Sequence, residues 1–191
     1  DLVDSKKEKN AIITPFMEHE WKGFKSVKKS DMMKKVETSV SKKDLDKVSI
    51  GLFELDHPDQ YLRKVSKLMS DRKTMYFEKD KIDWAIAETL AYGTILQEGY
   101  NVRISGQDVE RGTFSHRHAI LKKEKSEEEY IPLNHVCDNQ GIFQIYNSSL
   151  SEYGVMGFEY GYALASPQTL TIWEAQFGAV SYTHLRAHET H

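Results

Sequence analysis

The stretch IYNSSLSEYGVMGFEYGYALASPQTLTIWEAQFG, from Ile145 to Gly178, decides the fold of this chain. Its first residues complete a strand predicted over Phe143 to Tyr146, and a helix is predicted from Ser149 to Ala165. After Ser166-Pro167, the β-branched and aromatic run from Thr169 to Glu174 predicts a second strand. Because strands alternate with helices, the sequence predicts an α/β fold with a mostly parallel sheet.

Upstream of this stretch, the sequence predicts another helix and strand. A helix is expected from Asp83 to Glu98, with Gly99 as its left-handed cap and a strand over Asn101 to Ser105 that ends at Gly106. The expected apolar face of this helix consists of Trp84, Ala87, Leu90, Ala91 and Ile95.

Earlier in the chain the expected structure is helical and more exposed. Asp56-His57-Pro58 predicts the start of an amphipathic helix that reaches about Ser70. The charged stretch 30–47 is typical of a surface helix and loop. Two further short strands are candidates between the strand predicted over 101–105 and the one predicted over 143–146. They are 119–122 and 130–136, on either side of an acidic turn.

Composition excludes several classes of protein. The 191 residues are 39% hydrophobic and 29% charged, and no apolar run approaches the roughly 20 residues that span a bilayer. A net charge of -3 with both signs interspersed argues against nucleic-acid binding, which needs clustered cations. The single Cys137 excludes an internal disulfide and favours a reducing compartment. Since the chain starts at Asp1 without a signal-like apolar core, we expect an interior piece of a longer protein.

A second motif, ISGQDVERGTFSHRHA, extends from Ile104 to Ala119 and follows a predicted strand. Together with the Ile145 to Gly178 stretch, and with SKLMSDRKTMYFE and IDWAIAETLAYG further upstream, it resembles the thiamine-diphosphate-dependent decarboxylating component of 2-oxoglutarate dehydrogenase. Two long motifs in the right order make a chance match implausible. The resemblance implies a helical linker region over 1–80 and a partial transketolase-like pyrimidine-binding domain over 81–178.

The resemblance assigns a catalytic role to Glu152 in Leu150-Ser151-Glu152. In that family, the corresponding carboxyl group hydrogen-bonds the far ring nitrogen of the cofactor's aminopyrimidine and promotes its imino tautomer. An alternative from the residues alone is a capping box, in which Ser149 caps the helix and Glu152 bonds back to it. Phe177 is expected to stack on the pyrimidine ring, although it is equally compatible with a core position.

The glycine-bearing loop after Gly106 supplies further candidates. The resemblance implies that Gln107 and Asp108 contribute to the cofactor site, while Asp108 and Glu110 are also compatible with exposed loop charges. The resemblance implies that His116 and His118 belong to the active-site wall, by hydrogen bonding or positive charge toward an anionic substrate, while a packing role is also compatible with the sequence. Two histidines separated by one residue provide too few ligands for a metal, so no metal site is predicted in this chain.

The resemblance also implies the activity and the partners of the parent protein. That protein would decarboxylate 2-oxoglutarate in the tricarboxylic acid cycle and pass the succinyl group to the lipoyl arm of a succinyltransferase, alongside a dihydrolipoyl dehydrogenase. It would be a homodimer in the bacterial cytoplasm or the mitochondrial matrix. The module that holds the diphosphate through Mg²⁺ is absent from these residues, so the fragment alone is expected to be inactive. The alternatives are a 2-oxoadipate dehydrogenase and a non-catalytic interface module.

The end of the chain departs from the family pattern. After Gly178 the sequence continues AVSYTHLRAHETH, which resembles translated adapter sequence, so 179–191 are expected to be non-native. His184, His188 and His191 have a helical spacing that imitates a metal-binding face, but we interpret them as part of the non-native tail and not as a metal site.

Overall fold

The computed structural model describes residues 17, 19–25, 27–149 and 151–176. The chain divides into two compact units between Lys34 and Lys35. In the first unit the described residues form turns, and the Trp21 and Phe24 rings meet edge to face with their centroids 5.4 Å apart. The helices and strands named below belong to the second unit.

Two helices precede the sheet-forming half of the second unit. Helix α1 spans Lys42–Phe53 and is capped by Ser41, whose Oγ accepts a hydrogen bond from the Asp44 N–H at 3.2 Å. The prediction of a surface helix and loop over 30–47 is wrong about its extent, because α1 continues to Phe53 and buries Val48 and Leu52.

Helix α2 spans Arg63–Phe77 and is therefore shifted from the predicted 56–70. The proline forms only a short 3₁₀ turn, Pro58–Gln60. Tyr61 is then held extended by an antiparallel bridge to Lys123, which separates the turn from α2.

Helix α3 spans Trp84–Gln97, and Asp83 caps it by accepting a hydrogen bond from the Ile86 N–H at 2.8 Å. The predicted helix and the left-handed Gly99 (φ +88°) are confirmed. Its predicted apolar face is correct for Leu90, which is 4% exposed, but wrong for Trp84, which is 89% exposed, and for Ala91, which is also exposed. The buried positions are Ala85, Ile86, Leu90, Gly93, Thr94 and Leu96.

A parallel sheet follows, built from β1 (Asn101–Gly106), β4 (Phe143–Asn147) and β5 (Thr169–Glu174) in the order β4-β1-β5. In its register, Ile104 lies between Ile145 and Ile172. All three strands and their parallel direction were predicted from the sequence, and the α/β fold class is confirmed.

Between β1 and β4 lies a small antiparallel pair, β2 (Leu121–Lys122) and β3 (Glu129–Tyr130). The strand predicted over 130–136 is mostly wrong, because Pro132–His135 form a 3₁₀ turn. A proline in this stretch favours such a turn over a paired strand.

Helix α4, Glu152–Ala165, connects β4 to β5 and packs on β5. It begins three residues later than predicted, at Glu152 instead of Ser149. Within the described residues, no helix has both the length and the apolar character needed to cross a membrane.

The main core lies on one face of the sheet. Val102 and Ile104 of β1 and Phe143 and Ile145 of β4 are between 0% and 3% exposed on this face. They pack against buried side chains of α1 and α3, among them Val48, Leu52, Ile86, Leu90 and Leu96. Arg103 and Ser105, which alternate with Val102 and Ile104, face the opposite side toward α4.

Candidate functional site

The carboxyl ends of the three parallel strands lie at the same edge of the sheet. There the Gln107 N–H donates to the Glu174 carbonyl at 3.1 Å, and the Ser148 N–H donates to the Gly106 carbonyl at 2.7 Å. These bonds continue the pairing of β1 with β5 and β4 beyond the strands themselves. In open α/β sheets this edge is where ligands bind.

Gly106 allows β1 and β5 to approach closely at this edge. A Cβ atom at this position would lie 2.1 Å from the Glu174 carbonyl oxygen and 2.7 Å from Val109 Cγ1. Both separations are far below van der Waals contact, so a side chain would push the strand ends apart. Only glycine fits here without a backbone shift.

Glu152 is the first residue of α4 and is half-buried at this edge. Its Oε1 accepts a hydrogen bond from Gln107 Nε2 at 2.8 Å. The helix cap is Ser151, whose side chain makes no capping hydrogen bond, so the capping box from Ser149 to Glu152 is not formed. Glu152 therefore contacts the end of β1 instead of its own helix terminus.

The structure brings Gln107 to Glu152 but directs Asp108 elsewhere. Gln107 also accepts a hydrogen bond at Oε1 from the Gln176 N–H at 2.9 Å. Asp108 has a left-handed backbone (φ +55°) and forms a partly exposed ion pair with Arg111. The loop thus contributes one side chain that contacts Glu152 and one that stabilises the loop itself.

Glu110 and Asn147 form a reciprocal pair that the sequence analysis did not predict. The Glu110 N–H donates to Asn147 Oδ1, and the Asn147 N–H donates to Glu110 Oε1, both at 3.2 Å. The two hydrogen bonds fasten the loop after β1 to the end of β4. Because the partners are 37 residues apart, no local pattern links them.

Arg117 is a further residue whose role the sequence did not indicate. It is 4% exposed and joins α3 to β5: its Nε donates to Glu88 at 2.5 Å and its Nη2 to Glu174 at 2.6 Å. Its Nη1 donates to the Val109 carbonyl at 2.8 Å. Burial alone would lower the pKa of Arg117, but the hydrogen bonds that it donates to Glu88 and Glu174 outweigh this effect and raise that pKa.

Arg72 of α2 binds the backbone at Arg117 and at the residue before it. Its guanidinium, in a residue that is 4% exposed, donates to the carbonyl oxygens of His116 and Arg117. Burial lowers the pKa of Arg72, and the negative charges of Asp83 and Glu88 act in the opposite direction. Two buried arginines therefore fix the backbone of the FSHRHA segment.

The two histidines of this segment lie in different surroundings. His116 Nδ1 is 3.0 Å from the Thr113 carbonyl oxygen, and its Nε2 is 3.9 Å from Glu88. His118 lines a small cavity with Arg72, Tyr92 and Phe143. Burial lowers the pKa of His118, and the positive charges of Arg72, Arg111 and His116 add to that effect. The lowered pKa favours the neutral form of the His118 ring.

Some predicted residues lie outside the described part of the chain. These are Leu150, Phe177 and the tail 179–191 with His184, His188 and His191. In the described ranges, no group of three or more His, Cys, Asp or Glu side chains is arranged to hold a metal ion.

The parallel sheet and its flanking helices are consistent with a comparison to known protein families. Residues 80–189 match the family described as "Transketolase, pyrimidine binding domain". The chain belongs to this family.

Similar individual proteins include 2-oxoglutarate dehydrogenases, which confirms the resemblance seen in the motifs. The chain is 48% identical over 167 residues to "2-oxoglutarate dehydrogenase, mitochondrial" of Schizosaccharomyces pombe, covering 85% of this chain and 16% of that protein. It is 54% identical over 115 residues to "2-oxoglutarate dehydrogenase E1 component" of Haemophilus influenzae, covering 60% of this chain and 12% of that protein.

A third relative shows the same relation of lengths. The E1 component of Rickettsia prowazekii is 44% identical over 165 residues, covering 86% of this chain and 17% of that protein. The chain thus spans between 12% and 17% of the length of these relatives.

Proposed function

We propose that this chain is part of the E1 component of a 2-oxoglutarate dehydrogenase complex and forms the wall of its active site that receives the cofactor's pyrimidine ring. The complete protein decarboxylates 2-oxoglutarate and transfers the succinyl group to a lipoyl arm. The names of relatives that cover most of this chain support the proposal. The single structural observation that carries it is the position of Glu152 at the carboxyl edge of the parallel sheet.

The residues of this edge fit the pyrimidine half of thiamine diphosphate. Glu152 is half-buried, its Oε1 is bound by Gln107, and no described residue hydrogen-bonds its Oε2. One carboxylate oxygen thus remains to bind a ring nitrogen. When bound, thiamine diphosphate supplies the electron sink for the carbanion that decarboxylation leaves.

The role of Glu152 in this proposal is to hold a proton between its carboxylate and the far nitrogen of the aminopyrimidine. A carboxylate hydrogen-bonded to a fixed partner is pre-oriented for such a proton transfer, and half-burial strengthens the interaction by lowering the local dielectric. Phe177, which follows β5 by three positions in the sequence, is proposed to stack on the same ring.

The remaining candidates have less direct roles in the proposal. Asp108 contributes through the loop it stabilises with Arg111. His116 and His118 belong to the active-site wall, where the lowered pKa of His118 favours hydrogen bonding by a neutral ring. Mg²⁺ and the diphosphate belong to a module outside these 191 residues. The homodimer, the lipoylated succinyltransferase and the dihydrolipoyl dehydrogenase are proposed as partners, in the bacterial cytoplasm or the mitochondrial matrix.

The experiment compares Glu152→Gln with Glu98→Gln in a protein that spans the full length of the relatives. Both substitutions replace a carboxylate by an amide, but Glu98 is exposed at the end of α3. We expect Glu152→Gln to reduce the rate of 2-oxoglutarate decarboxylation about 100-fold or more, since a positioned acid or base contributes about 10²–10⁴-fold. Glu98→Gln should retain the full rate.

Normal decarboxylation by Glu152→Gln would overturn the catalytic assignment. The same assay with 2-oxoadipate determines the substrate. A 2-oxoglutarate dehydrogenase has the higher kcat/KM for 2-oxoglutarate, whereas a 2-oxoadipate dehydrogenase has the higher kcat/KM for 2-oxoadipate. Activity with neither acid in the presence of thiamine diphosphate and Mg²⁺ would instead indicate a non-catalytic interface module.

A further inference from the structure

Gln107 connects two parts of the proposed pyrimidine site that are far apart in sequence. Its Nε2 donates to Glu152 Oε1 at 2.8 Å, and its Oε1 accepts from the Gln176 N–H at 2.9 Å. Gln107 thus contacts the first residue of α4, 45 positions away, and Gln176, which lies 69 positions away and two residues after β5. Both ends of its amide group are used by these contacts.

The orientation of this amide follows from its partners. A backbone N–H can only donate, so the group facing Gln176 must be the carbonyl oxygen of Gln107. The NH₂ group is consequently directed to Glu152, where an ionised carboxylate can only accept. The flip that is ambiguous for most Gln side chains is determined here by the hydrogen-bond network.

The backbone of Gln107 is also held in place. Its own N–H donates to the Glu174 carbonyl at 3.1 Å, and the preceding Gly106 lies against the same carbonyl. A side chain that extends from such a fixed strand end transmits its position to the group it contacts. Among the described residues, Gln107 is the one side chain that hydrogen-bonds Glu152.

We propose that Gln107 is a positioning residue, which orients the Glu152 carboxylate and ties it to the backbone immediately before Phe177. This inference rests on the proposed function. Gln107 donates one hydrogen bond to Oε1, which fixes the orientation of the carboxylate and leaves Oε2 for the cofactor. The assignment differs from a direct contact of Gln107 with the cofactor, since both ends of the amide are already engaged with protein groups.

Two substitutions separate the two contacts. Gln107→Glu keeps an oxygen that accepts from the Gln176 N–H but replaces the donor to Glu152 with a second carboxylate. Gln107→Ala removes both contacts. Gln168→Glu, in the exposed turn before β5, introduces the same charge away from the site and is the matched control.

The first measurement is calorimetric titration of thiamine diphosphate with Mg²⁺ into the full-length protein between pH 4 and 9. Glu152→Gln defines the part of the pH dependence that belongs to Glu152. We expect Gln107→Glu to move the midpoint of that part upward by about one pH unit or more, because a neighbouring like charge disfavours ionisation. Gln107→Ala should move it upward by less, and Gln168→Glu should not move it.

The second measurement is hydrogen exchange of the peptide that contains Gln176, without cofactor. Exchange should accelerate in Gln107→Ala but stay as in the unmodified protein in Gln107→Glu, since only the former loses the acceptor. If Gln107 had a solely structural role, both Gln107→Ala and Gln107→Glu would change the exchange rate of this peptide together with the pH midpoint of cofactor binding.

The outcomes distinguish this inference from the proposed function. If Glu152→Gln changes neither cofactor affinity nor decarboxylation, the proposed function fails. If Glu152→Gln abolishes decarboxylation while the midpoint in Gln107→Glu stays unchanged or moves downward, only the positioning role of Gln107 fails. Accelerated exchange at Gln176 in Gln107→Glu would overturn the link to β5.

Discussion

The two faces of the three-stranded sheet are stabilised by different kinds of contact. On the face toward α3, side chains such as Ile104 and Phe143 are 0% and 1% exposed and belong to a continuous apolar core. On the face toward α4, Arg103 forms two hydrogen bonds of 2.8 Å with Glu159, the one buried residue among the described side chains of that helix. The rings of Tyr146, Phe158 and Tyr162 surround the Arg103 guanidinium.

This difference shows how α4, which carries Glu152, is positioned. Apolar burial is non-directional, whereas a bidentate arginine–carboxylate pair fixes both distance and angle. The aromatic side chains of α4 contribute little burial of their own, since Tyr153 is 75% and Tyr160 69% exposed. The start of α4 is thus held by the Arg103–Glu159 pair and by the hydrogen bond from Gln107.

The largest expected effect is on the apolar face. Phe143→Ala should lower the free energy of unfolding by about 3–5 kcal/mol, because it removes a buried ring and leaves a cavity. Tyr146→Ala, on the opposite face of the same strand and 46% exposed, is the matched control and should cost about 1 kcal/mol. Urea denaturation measures both. Equal losses would mean that the two faces contribute alike.

An intermediate effect is expected on the polar face. Arg103→Met should cost about 3 kcal/mol, since it leaves the Glu159 carboxylate, in a side chain that is 4% exposed, without its partner. The double variant Arg103→Met/Glu159→Leu should recover most of that loss, because no buried charge remains. A double variant as unstable as the single one, in the same denaturation assay, would show that the ion pair itself stabilises the fold.

The smallest expected effect is a pH dependence of stability that arises from a histidine on the apolar side of the sheet. The pKa of His118, on the apolar side, is lowered by burial, so the unfolded chain binds a proton before the folded protein does. Its contribution to stability is complete above the unfolded pKa of about 6.5 and is lost as pH falls below that value. The slope is at most about 1.4 kcal/mol per pH unit for one proton.

The matched variant for this pH effect is His118→Asn, compared with His57→Asn at an exposed turn position. Unfolding of the His118→Asn protein, measured between pH 5 and 7.5, should depend less on pH than that of the unmodified protein. His57→Asn should leave the dependence unchanged. A profile that is equally steep in both variants would assign the acid sensitivity to other groups.

The sequence predicted those elements whose signals are local. The sequences of β1, β4 and β5 alternate between polar and apolar residues or are rich in β-branched and aromatic residues. Asp83 marks the start of α3. The prediction of the apolar face of α3 was wrong at Trp84 and Ala91, because the helix is apolar on most sides and periodicity did not identify the buried side. Helix α1 was misjudged for the opposite reason, since its many charges hide the buried Val48 and Leu52.

The candidate site was predictable where a motif or a strand end identified it. The contact of Gln107 with the Glu152 region agrees with the rule that carboxyl ends of parallel strands meet. The partners of Arg117 were not predictable, because Glu88 and Glu174 are 29 and 57 residues away and are brought together only by the tertiary fold. In the sequence, His116 and His118 are more conspicuous than Arg117, yet it is Arg117 that connects α3, the loop after β1 and β5.

Gly106 has a consequence for any redesign of this domain. Since the separation of β1 and β5 at the sheet edge is limited by the contact of a glycine hydrogen atom with a carbonyl oxygen, the spacing of these two strand ends is a property of the main chain. Exchanging aliphatic side chains deeper in the interior leaves that spacing unchanged, whereas a single methyl group at this position alters it directly. The position of the strand ends at this edge is therefore independent of the composition of the apolar core.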